Sequence, residues 1–75
     1  MITLTGRHGR AAALLYSGYQ RPEIARMMGT SERNVKAYIN HACRKALIEK
    51  QFHPQVRLMW LIFKGEVAIN HGRLY

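Results

Sequence analysis

Lys36 and Asn40 stand four residues apart, so on a helix they project from one face. A lysine can donate to O6 and N7 of guanine, and an asparagine amide can pair with both N6 and N7 of adenine. Ala37 beside them offers a methyl group that suits contact with the methyl of thymine. Arg21, Arg33, Arg44 and Lys45 add cations around this set, and Asn34 adds a polar group at a helix start. Such residues suit phosphate contacts, which fix position on a duplex and carry no sequence information. The chemistry on offer is recognition of double-stranded DNA. A solvated helix face can carry the same residue types, so the elements that hold these side chains have to decide.

The stretch EIARMMGTSERNVKAY, residues 23–38, reads as a short helix, a glycine turn and a second helix. Pro22 suits a first helical position, Glu23 sits near the positive helix start, and Gly29 ends the helix. Ser31 is the expected cap of the next helix, about 31–47, whose inward face is Val35, Ile39, Ala42 and Ala46. Its opposite face carries Arg33, Lys36, Ala37, Asn40 and Arg44. An earlier helix is expected from about Arg7 to Ser17, with Thr5 as cap and Gly18 as stop. A fourth is expected from Pro54 to about Lys64, closed by Gly65. No strand signal stands out, and the tail 66–75 has no clear period and is expected to be loosely held. The expected fold class is all-α, one four-helix domain over residues 1–75.

Composition points the same way. The chain has 75 residues, 12 Lys+Arg against 4 Asp+Glu, and a formal net charge of +8. A field of that sign draws polyanions, nucleic acid foremost. A chain this short buries only about 60% of its unfolded surface, so a partner chain is expected to help. Cys43 is the sole cysteine, which rules out a disulfide within the chain. The apolar run AAALLY, 11–16, falls short of a secretory signal, and no run approaches the roughly 20 residues that span a bilayer. A cytoplasmic protein with no membrane partner is the expectation.

Several short motifs together resemble the LuxR/GerE-type DNA-binding domains. These are LTGR at 4–7, ALLYSG at 13–18, EIA at 23–25, SERNVK at 31–36 and Lys45, in order and without a gap. The resemblance implies a four-helix domain with a helix-turn-helix, base contacts from Lys36, Ala37 and Asn40, and dimerisation through the fourth helix. The chain departs from the pattern at His8, Arg10, Asn34, Tyr38, Ala42 and Ala46. Loss of acids from the first helix makes it unusually basic and hints at extra phosphate contact or an acidic partner. The stretch 23–47 also bears a weaker resemblance to region 4 of sigma factors.

The fourth helix, with VRLMWLIFKG at 56–65, is apolar nearly all round, where a surface helix would show one stripe. A second copy of the chain is the simplest cover, with Val56, Met59, Trp60 and Phe63 as the expected seam. An entirely internal core is the alternative. Membrane insertion is disfavoured, because Arg57 and Lys64 are too few for a basic polar face.

No enzyme is expected. The histidines at 8, 41, 53 and 71 lie in different elements without a carboxylate at metal-ligand spacing, and no glycine-rich phosphate loop occurs. Neither a metal nor any other cofactor is implied. The functional expectation is a homodimeric transcriptional regulator that binds double-stranded DNA sequence-specifically, from a bacterium or a phage. The alternative is a small antagonist that binds a LuxR-type regulator or RNA polymerase through protein contacts. An antagonist has no need of Lys36 and Asn40, so their presence favours DNA.

Overall fold

The computed structural model of the chain describes residues 2–48 and 53–70. The order of elements is β1 (Ile2–Thr5), α1 (Gly6–Tyr16), α2 (Arg21–Met28), α3 (Glu32–Lys45), α4 (Pro54–Lys64) and β2 (Val67–Asn70). The four helices stand where caps and apolar spacing put them. The strands correct the all-α expectation. β1 and β2 pair in parallel, Ile2 opposite Val67 and Leu4 opposite Ile69. Both segments alternate apolar and small or polar residues, ITLT and VAIN, which is the period of a half-buried strand. Four residues are too few for that alternation to stand out beside strong helical signals. Val67 is buried and Ile69 packs on the core, so 67–69 are built into the fold rather than loosely held. Residues 71–75 lie outside the described residues.

Helix ends follow one pattern. After α1 the amide of Tyr19 donates to the Leu14 carbonyl, and after α2 that of Thr30 donates to Ala25. Ile48 donates to Cys43 after α3, and Glu66 to Leu61 after α4. Each closure is a Schellman turn, which satisfies carbonyls that the helix leaves unpaired. It needs a left-handed residue, supplied by Gly18, Gly29 and Gly65 at three ends and by Leu47 (φ 61°) at the fourth. That closure stops α3 at Lys45, short of the expected 47.

The core is made of one stripe from each helix: Ala11 and Leu14, Ile24, Val35 with Ile39 and Ala42, and Leu58, all fully buried. Leu4 of β1 joins them. Small residues dominate where α1 meets α3, with Ala11, Ala12, Ala42 and Ala46 all buried. Loss of side-chain volume there lets the two helices approach closely, and it leaves α3 anchored along its length with its outer face free.

Gly9 marks another close approach. A Cβ at this position would lie 2.7 Å from the Leu4 carbonyl oxygen and 3.4 Å from Cγ2 of Ile69. Glycine to alanine in a helix interior ordinarily gains about 1 kcal/mol. Here α1 would have to back away from the sheet, and Gly9→Ala should instead cost about 1–3 kcal/mol. Urea unfolding followed by circular dichroism reads the sign. A raised midpoint would show that β1 does not seat on α1.

Candidate nucleic-acid interface

α2 and α3 form a helix-turn-helix whose joint is tightly specified. The Gln20 amide donates to Oε1 of Glu23 at 2.9 Å, fixing the start of α2. Ser31 caps α3, its hydroxyl accepting from the Asn34 amide at 3.2 Å. The Asn34 side-chain amide donates to Oγ1 of Thr30 at 2.8 Å, tying α3 back onto the turn. Asn34, expected on phosphate, is thus first a brace for the joint.

With Val35, Ile39 and Ala42 fully buried, the opposite side of α3 faces solvent. Arg33, Lys36, Ala37, Asn40 and Arg44 are all exposed on it, as their spacing requires. Arg21, Arg33, Lys36 and Glu32 line a shallow concavity of about 230 Å³ between the starts of α2 and α3. Arg44 and Lys45 lie in the last turn of α3, where cations oppose the negative helix end. Lys45 is exposed and belongs to the flank nearer α1, close enough to His8 to act on its charge.

On that flank the structure brings together residues that spacing alone did not connect. The His8 ring stacks on His41 with centroids 3.9 Å apart and meets Tyr38 edge-on at 5.6 Å. Next to them, Arg7 and Arg10 of α1 face Thr30, Asn34 and Tyr38 across a larger concavity of about 410 Å³. Arg7, Arg10 and Tyr38 were absent from the expected contacts; the signal for the two arginines was the basic character of the first helix, and for Tyr38 its departure from the LuxR/GerE pattern.

The pKa of His8 lies below its ordinary value, first because burial disfavours the imidazolium, then because His41 and Lys45 repel it. The unfolded chain therefore binds the proton more readily than the folded one. Stability is fully present above pH 6.5, the ordinary value. It declines as pH falls through that point, and levels off below the folded pKa. His8→Phe keeps a ring and removes the titration, so denaturant midpoints at pH 7.5 and 5 should lie closer together than in the wild type. An unchanged gap would remove His8 from the account.

α4 has a divided surface. Leu58 is fully buried, and Met59, Leu61 and Ile62 pack against the core. Val56, Trp60 and Phe63 are 64, 48 and 68% exposed and share one face by their spacing. The Trp60 and Phe63 rings stack at 5.7 Å. Met59, expected in the seam with these three, turns towards the core. Among the described residues no cluster of His, Cys, Asp and Glu could hold a metal ion, and no helix is long and apolar enough to cross a membrane.

A family model described as "Putative ATPase subunit of terminase (gpP-like)" matches residues 8–48, more than half of the chain and all of the helix-turn-helix. The chain belongs to this terminase family. No curated protein and no solved structure matches it. The family match overturns the LuxR/GerE resemblance and gives no support to the weaker sigma-factor one. Motifs such as EIA and SERNVK report what any helix-turn-helix needs: a carboxylate at a helix start, a serine cap and an inward valine. LTGR, read as the opening of the LuxR/GerE pattern, is divided between β1 and the first turn of α1. The departures were the more telling residues. His8 and Tyr38 make the ring cluster, Asn34 braces the turn, and Ala42 and Ala46 permit the close helix contact with α1. In this terminase-family chain the matched segment runs from α1 to just past the end of α3.

Proposed function

We propose that the chain is a double-stranded DNA-binding domain of a phage terminase, with α3 in the major groove. The observation that carries this reading is the exposed face of α3, with Lys36, Ala37 and Asn40 framed by arginines, in a chain of net charge +8. Lys36 and Asn40 read bases, Ala37 lies against a thymine methyl, and Arg21, Arg33, Arg44 and Lys45 grip phosphate. The family description names an ATPase subunit, but these 75 residues contain no GxxxxGK[ST] loop, so the part assigned to them is DNA rather than ATP. Transcriptional regulation and antagonism of a LuxR-type regulator lose their ground with the LuxR/GerE resemblance.

The binding unit is a homodimer in this reading, joined through Val56, Trp60 and Phe63. A two-fold pair presents two copies of α3 to one side of a duplex. The site is then an inverted repeat with half-site centres about 10 bp apart. Selection of bound duplexes from a random pool tests both parts. Recovery of a common inverted repeat is the expected result. A single half-site would remove the dimer, and no enrichment over the input pool would remove base reading.

A further inference from the structure

We infer that the concavity between the start of α1 and the α2–α3 turn is an oxyanion site that takes a backbone phosphate of the bound duplex. This rests on the DNA-binding reading and adds to it a contact from outside the helix-turn-helix.

The donors come first. Arg7 and Arg10 line the concavity together with Thr30, Asn34 and Tyr38, and no carboxylate is among the lining residues. The described acids are occupied or placed elsewhere: Glu23 accepts from the Gln20 amide, Glu66 pairs with Lys64 at 2.9 Å, and Glu32 lies in the other concavity. Nε of Arg10 is shielded from solvent and has no hydrogen-bond partner among the described residues. A buried donor left unpaired is costly, and for a charged group more so. A turn of the Arg10 side chain toward an incoming oxyanion removes that cost. The guanidinium fork matches two oxygens of a phosphate, and the Tyr38 and Thr30 hydroxyls add neutral donors. At about 410 Å³ the space holds a phosphate group with its waters.

Position selects the source of the phosphate. A helix in the major groove, about 12 Å wide, has a phosphate ribbon on each side. On α3, Arg33 lies toward the start of α2 and lines the smaller concavity with Arg21, and Lys36 of the reading face borders it. Asn34 and Tyr38 lie on the other flank, toward α1, and line the larger one. The reading face lies between them. One ribbon meets Arg21 and Arg33, and the other meets Arg7 and Arg10. The basic first helix thereby gains a task.

Two experiments on the full 75-residue chain decide the matter. In the first, the Nε–Hε resonance of Arg10 is followed by NMR during titration with the selected duplex, and separately with inorganic phosphate against chloride at equal ionic strength. In the second, duplex affinity is measured between 50 and 200 mM salt for the wild type and Arg10→Met. The expected results are a duplex-induced shift of that resonance and a salt slope smaller by about 0.9 in the variant, on selected and random sequence alike. The resonance is read in the wild type, so an unfolded variant does not weaken the test. If α3 amides shift with duplex while Arg10 Hε stays still, the inference is overturned. If no duplex binds, the DNA reading fails by itself and the backbone source fails with it. A saturating shift with inorganic phosphate would then reassign the site to a small phosphorylated ligand, and no shift would abolish it.

Discussion

Lys36→Ala should weaken binding to the selected duplex by about 1–3 kcal/mol, or roughly 5- to 150-fold, and leave random DNA almost unaffected. Asn40→Ala should behave alike. Both side chains are exposed on the outer face of α3, so neither truncation opens a cavity or strands a buried group. What is lost is a set of hydrogen bonds to base edges, and only the correct base pair supplies them. Arg44→Ala makes the contrast. It sits in the last turn of α3 and should weaken both duplexes equally, reducing the salt slope by about one. Competition binding at several salt concentrations reads all three variants. If Lys36→Ala and Arg44→Ala give the same loss on both duplexes, the division between reading and gripping is wrong.

Leu58→Ala should leave little folded protein at room temperature. Leu58 is the fully buried side chain of α4, and cutting a buried leucine to alanine costs about 2–5 kcal/mol. A core this small supplies about 3–5 kcal/mol in total, so the loss is of the same size as the whole. Phe63→Ser provides the matching measurement. Phe63 is 68% exposed and makes little of the monomer core. That variant should keep its helical spectrum while its mass by light scattering falls from dimer to monomer. Dimeric Phe63→Ser protein would show that the exposed face of α4 is not the seam. A well-folded Leu58→Ala chain would mean that α4 is dispensable to the three preceding helices.

Local chemistry made the helices legible. Ser31, Pro22, Pro54, Gly29 and Gly65 each do at a helix end what their side chains or backbone freedom dictate. Periodicity then placed the exposed face of α3, because three fully buried positions leave only one side for Arg33, Lys36 and Asn40. The strands were not legible, since each is four residues long and finds its partner at the other end of the chain. The same holds for Arg10 and Tyr38, which meet only once α1 packs on α3. Family assignment failed for a related reason. Caps and apolar spacing are shared by unrelated helix-turn-helix proteins, whereas His8, Asn34 and Ala42 answer to contacts particular to this fold.

Pairing of β1 with β2 makes the domain a closed ring of chain. Residues 2–5 lie against 67–70, so nearly the whole sequence is enclosed by a few main-chain hydrogen bonds. Closing a loop of that length carries an entropic penalty that local helix contacts do not bear. Contacts within α1, α2 and α3 span short stretches and can form early, while the two end strands meet only after α4 has docked. The clasp is therefore the last part to assemble and the first to open. Amides of Ile2–Thr5 and Val67–Asn70 should exchange with solvent well before those of α3, and α3 keeps its shape through openings that separate the two strands.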